Sequence, residues 1–269
     1  MTEACAAIVQ RDDPHLYATA LFAPEPARSR LMVLYAFDCE LSRASRSSRE
    51  SMIPRMRLQW WRDAIAEADA GEKPKAHEVA APLNALVQDC DLMAVLTSLV
   101  DGHALELDPG RPLNGEKTWN WRDVRYPAFL RAACQVLSDA PADPLSIGNA
   151  MADAFALRHA LRMAQAGGRA LIPDIKGRDL AELSRGALTD SAKTILRTTA
   201  MQGLNALENA RRTHKAQRQT IPALLPTLWT ERTLRLVQRD PSVILGQLDD
   251  IDRPFDGLRL AWHALRGRW

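Results

Sequence analysis

What most constrains the fold of this chain is the near absence of strand signals. Alternating apolar and polar runs are few, β-branched and aromatic residues do not cluster, and Ala, Leu, Arg, Glu and Gln dominate. Propensity and period therefore agree on an all-α fold. Asp13-Pro14 predicts a helix with proline in its first turn, and Pro24 and Pro26 restart a second that runs to about Ser42. The apolar residues of that second helix, Leu31, Leu34, Tyr35, Phe37 and Leu41, cover well over half its circumference, so it belongs in the middle of a domain. Asp38 shares this stripe, four residues after Leu34 and three before Leu41, and should face a core or cavity.

A third helix follows Pro54, with Met56, Trp60 and Ala64 on one stripe and Leu58, Trp61 and Ile65 on the next, a pattern that predicts broad burial. Helical patterns resume around 77–89, 92–108 and 122–138, broken by turn residues at Pro109 to Pro112 and Pro141 to Pro144. An Ala-rich helix from Leu145 to Gln165 is stopped by Gly167-Gly168, and helices near 190–216, 222–236, 241–248 and 255–267 complete the chain. With no repeat period and no low-complexity linker, the 269 residues read as one domain, a size that roughly 250-residue domains reach. A composition 46% hydrophobic and 25% charged supplies a sizeable core and excludes disorder.

The balance of 35 basic against 33 acidic residues gives no global attraction to nucleic acid. Cys5, Cys39, Cys90 and Cys134 lie far apart, which fits a reducing compartment better than a disulfide framework. The first thirteen residues lack the basic patch and apolar run of a signal peptide, and no stretch reaches the ~18 apolar residues of a membrane span. The expectation is a cytoplasmic protein, peripheral to the inner membrane if it meets a membrane at all.

Motifs for chemistry are incomplete. Ala166 to Arg169 follows a helix and matches neither glycine-rich phosphate-binding spacing, and no serine or cysteine stands in a nucleophile context. His103 and Glu106, three apart and near Asp101 and Asp108, could share a metal-binding face, but a solvated face of a surface helix is the preferred reading. Arg43, Arg46 and Arg49 read as a solvated or anion-lined helix end rather than an RNA patch, and Trp60-Trp61 as core. Asp38 and Glu40 need cationic partners if buried, for which Arg57, Arg62 and Arg158 are the candidates.

Three segments carry a resemblance: Leu34 to Phe37, Arg57 to Asp63, and Ala154 to Arg162 leading to Gly168 through Pro173. Their order and spacing resemble the squalene/phytoene synthase family from Pro14 to about Trp262. The resemblance implies the all-α isoprenoid-synthase fold, a helical bundle around a central cavity. It also implies a chemistry in which two aspartate-rich motifs hold Mg²⁺ against prenyl diphosphates. The first motif falls on Ser42, Arg43 and the residues to Arg46, and the second on Met163 to Gly167, and neither stretch contains a carboxylate. An arginine ~5 Å from a divalent ion at an effective dielectric of ~20 would repel it by roughly 6–7 kcal/mol.

A surviving framework without its metal clamps resembles the degenerate branch of the family that includes the mitochondrial complex I assembly factor and its bacterial relatives. Phe37-Asp-Cys-Glu40 and Arg57-Leu-Gln-Trp-Trp61 fit that branch. The leading expectation is a pseudoenzyme acting as a binding or respiratory-complex assembly module, without cofactor. Its partner is then a membrane-complex subunit or an isoprenoid or lipid ligand. One alternative is a farnesyl or geranylgeranyl diphosphate transferase with altered metal dependence, in which Arg43, Arg46, Arg158 and Arg162 grip the diphosphate and Mg²⁺ remains in play. Another is a non-catalytic isoprenoid- or lipid-binding protein. By resemblance and helix phase, the cavity-lining candidates are Asp38, Glu40, Arg57, Gln59, Arg62, Asp101, His103, Arg158, His159 and Arg162.

Overall fold

A computed structural model of the chain describes residues 2–46, 52–107, 121–138, 145–167, 170–213, 217–246, 248 and 256–269. The turn residues expected at 109–112 and 141–144, together with Arg49, Asp108, Gly168 and Arg169, lie outside the described residues. Among the described residues every regular element is helical. Backbone contacts group them into two compact units.

The first unit comprises residues 1–144, 216–226 and 257–269. It begins with α1 (Thr2–Asp12) and α2 (Pro14–Ala20). The Asp13 carboxylate accepts from the Leu16 backbone N–H at 3.0 Å and caps α2, while Pro14 occupies a first-turn position where no N–H is needed. Next, α3 (Ala27–Ser45) is buried without interruption from Leu31 to Leu41, as its apolar circumference predicts. Tyr35 stacks on Phe129, with ring centroids 5.5 Å apart, and Phe37 meets the edge of Trp61 at 5.2 Å.

α4 (Met52–Asp69) is narrower than expected. Leu58, Trp61, Ile65 and Ala68 form a single buried stripe, whereas Met56 is 66% exposed and Trp60 only half-buried. The Trp60 ring instead lies under the Lys75 ammonium, 5.5 Å from its centroid. The unit continues with α5 (Ala80–Asp89), α6 (Met93–Leu107) and α7 (Trp121–Leu137), and α6 packs along α7. Gly102 makes that approach possible: a Cβ there would stand 2.7 Å from the Cα of Arg125. The short α11 (Ile221–Leu224), buried throughout, covers α2 and α7.

The second unit comprises residues 145–215 and 227–256. It contains α8 (Leu145–Gly167), α9 (Gly177–Ser184), α10 (Asp190–Thr213) and α12 (Thr227–Arg239), followed by a 3₁₀ turn at Pro241–Leu245. On α10 the buried residues Ala192, Leu196, Ala200, Gly203, Leu207 and Ala210 recur every three or four positions, the stripe of a surface helix. Small residues on α8, from Ala150 through Ala164, pack against it. One helix was expected over 222–236; it breaks at Leu225-Pro226 because proline donates no hydrogen bond and disfavours helical backbone in the residue before it. The last helix, α13 (Asp256–Arg266), belongs from Gly257 onward to the first unit and buries Leu260.

Candidate functional site

Asp38 enters the core on α3, where its carboxylate meets two groups from distant parts of the sequence. Arg125 Nη2 on α7 lies 2.9 Å from Oδ1 and donates to Oδ2 at 3.1 Å, and His103 Nε2 on α6 lies 3.1 Å from Oδ1. Arg125 Nε also donates to Glu106 Oε1 at 3.2 Å, and His103 Nδ1 stands 3.8 Å from Glu106 Oε2. Two carboxylates thus share one guanidinium, with an imidazole between them. His103, read in sequence as part of a solvated face, is fully buried: Val100 and Leu99 flank it on the inward side of α6, and its polar ring is accommodated by these ionic neighbours.

The electrostatics follow from burial competing with charge. Burial pushes the Asp38 carboxyl up, but the Arg125 cation and hydrogen bonds from His103 and Arg125 hold it at about 2. Burial pushes His103 down, the Arg125 cation adds to that, and Glu106 and Asp38 only partly oppose them. Neutral His103 then donates from Nε2 to Asp38, leaving Nδ1 buried without a hydrogen bond, as is Arg125 Nη1. A network so enclosed is suited to locking α3, α6 and α7 together rather than to exchanging protons with a substrate. Removing one partner of such a buried pair typically costs about 3–5 kcal/mol.

Glu40, also buried, makes separate contacts. Arg43 Nη1 donates to Glu40 Oε1 at 2.6 Å while Nη2 donates to Asp12 on α1 at 2.5 Å, and His77 Nε2 lies 3.9 Å from Glu40 Oε2. The helix end at Ser42 to Arg46, where the first metal motif is expected, is therefore stitched to α1 by an arginine that engages both Glu40 and Asp12. The Ser42 carbonyl accepts from Ser45 Oγ at 3.2 Å and Arg46 Nε at 2.9 Å, which closes the helix end. Mg²⁺ demands carboxylate or phosphate oxygens in near-octahedral array, and this donor set does not fit it. Among the described residues, no three His, Cys, Asp or Glu side chains gather to hold a metal ion.

The remaining candidates scatter. Arg62 pairs with Asp101 at 2.6 Å, tying α4 to α6; Gln59 donates to Asp63 at 2.8 Å; Arg57 is exposed. In the second unit, Arg158 donates to Thr233 Oγ1 at 3.2 Å and His159 meets the edge of Phe155 at 4.1 Å, while Arg162 is exposed. Met163 is half-buried and Gly167 ends α8. None of Arg57, Arg62 and Arg158 is the partner of Asp38 or Glu40; Arg125 and Arg43 fill those roles. Arg125 was legible in principle, because it lies four residues after Trp121 and four before Phe129, on an apolar stripe like that of Asp38.

With this geometry in place, comparison with known proteins decides the lineage: the family model for squalene/phytoene synthase matches residues 9–255. The chain belongs to the squalene/phytoene synthase family. Among curated relatives of this squalene/phytoene synthase family member is the Homo sapiens protein NADH dehydrogenase (ubiquinone) complex I, assembly factor 6. The two are 26% identical over 249 residues, which span 87% of this chain and 73% of the human one. A dehydrosqualene synthase crystallised with ligand superposes with a TM-score of 0.74 at 13% identity, covering 99% of this chain and 95% of that one. Squalene synthase HpnC from Alicyclobacillus acidocaldarius superposes with a TM-score of 0.64 at 17% identity, covering 92% of each chain. At such identities the superpositions establish the all-α isoprenoid-synthase fold and nothing finer.

Proposed function

We propose that this chain is a catalytically degenerate member of the squalene/phytoene synthase family that serves as a binding or assembly module for a respiratory membrane complex. The observation that carries the proposal is Arg43, held between Glu40 and Asp12, in the segment where the family resemblance would put the first aspartate-rich motif. A cation already engages the two carboxylates beside this segment, and no aspartate-rich motif of either spacing occurs in 30–60 or 150–180. Similarity to a human complex I assembly factor supports the assembly role. No helix among the described residues is long and apolar enough to cross a membrane.

The test is incubation of the purified chain with labelled farnesyl and geranylgeranyl diphosphate, with and without Mg²⁺, beside an active family member. Neither pyrophosphate release nor a squalene- or phytoene-like hydrocarbon is expected. Turnover would overturn the pseudoenzyme reading and direct mutagenesis to Arg43, Arg46, Arg158 and Arg162. Stoichiometric retention of an intact prenyl diphosphate would instead favour a non-catalytic isoprenoid-binding role.

A further inference from the structure

α13 has its apolar side chains on the wrong side for a helix that only completes a core. Leu258, Trp262 and Leu265, spaced by four and three residues, form one stripe and are 68%, 56% and 74% exposed. Leu260, the buried residue of the helix, lies about 200° around the axis from Leu258, so the stripe points away from the protein. Scattered exposed leucines are ordinary, whereas three large apolar groups in register on one short helix are not. Arg259 and Arg266 line one edge of the stripe and Arg268 follows the last turn, while the acid of the helix, Asp256, is taken up by Arg232 at 3.1 Å. The Arg266 guanidinium lies 3.8 Å over the Trp262 ring, placing a cation and an indole at one depth. An indole with arginines along an apolar stripe is the pattern of helices that lie in the headgroup region of a bilayer.

We infer that α13 is a membrane-surface helix, which seats Leu258, Trp262 and Leu265 among the acyl chains of an anionic phospholipid surface while Arg259, Arg266 and Arg268 meet its phosphates. The inference does not depend on the assembly role, since it is tested without prenyl substrate or protein partner.

The test is co-sedimentation of the full chain with phosphatidylcholine vesicles with and without phosphatidylglycerol. Binding to the phosphatidylglycerol vesicles, weakening with added salt, is expected. Leu258→Ser/Leu265→Ser should lower the partition coefficient at least about tenfold. Arg266→Glu, an exposed charge reversal that leaves the core untouched, should lower it at least about fivefold; circular dichroism confirms that both variants fold. Sedimentation no greater than without vesicles, or unchanged by both variants, would overturn the inference. So would a dimer in solution that Leu258→Ser/Leu265→Ser converts to a monomer, because a second copy would then cover the stripe.

Discussion

A single guanidinium, that of Arg125, engages the carboxylates of Asp38 and Glu106, and His103 completes the group through Nε2. Asp38 and His103 have lowered pKa values in the folded chain, so each binds fewer protons folded than unfolded in the range between its two values. His103 has its folded pKa pushed below the ordinary 6.5, so its stabilising contribution is complete above 6.5 and falls as the unfolded chain takes up a proton below it. Asp38 adds roughly 2 kcal/mol that is lost as pH drops from 3.8 to about 2. Urea unfolding at about pH 7.5 and about pH 5.5 should show a lower midpoint at the acidic pH, and the drop should shrink in His103→Gln. An equal drop in that variant would mean that other histidines carry it. The inward placement of Asp38 was legible from its phase on α3, where Leu34 and Leu41 flank it on the same stripe. Its partners were not, because Arg125 lies 87 residues further along the chain and sequence periodicity gives no information on which helices meet.

The contact between α6 and α7 rests on a missing side chain. Alanine at Gly102 would gain about 1 kcal/mol of helix propensity, yet its Cβ would stand 2.7 Å from backbone and 3.1 Å from two side-chain carbons of Arg125, forcing the helices apart. Gly102→Ala should therefore lose about 2 kcal/mol in denaturant unfolding. Gly257→Ala, where nothing lies within 4 Å, should be neutral or slightly stabilising. Long elements with dense apolar patterns, such as α3 and α10, were legible in the sequence because their burial repeats with the helical period. Two were not read: α1, whose stripe amounts to Cys5, Ile8 and Val9, and α9, which buries Leu183 alone. In α4 the sequence could not separate Met56 from Leu58, since an exposed apolar residue looks the same as a buried one until a neighbour is placed beside it.

The chain passes between the two units after Pro144, Lys215, Pro226 and Asp256, so the first unit is built from three separate segments and the second from two. The sequence, with no linker composition, read as one domain; the discontinuity of the units was not legible because it depends on pairings between segments far apart. Such interleaving favours one cooperative unit, and the full chain should unfold in a single calorimetric transition whose van't Hoff and calorimetric enthalpies agree. Two resolved transitions would show that the units melt independently. The family was legible from the segments around Tyr35, Trp60 and Arg158, which the match over residues 9–255 includes. The placement of α11 has a consequence for biogenesis. Its buried side chains cover α2 and α7, but Ile221 is made only after the whole of α8, α9 and α10. While those helices are still on the ribosome, the faces of α2 and α7 that await α11 remain open to water, and a nascent chain in this state is a natural client for a holdase chaperone.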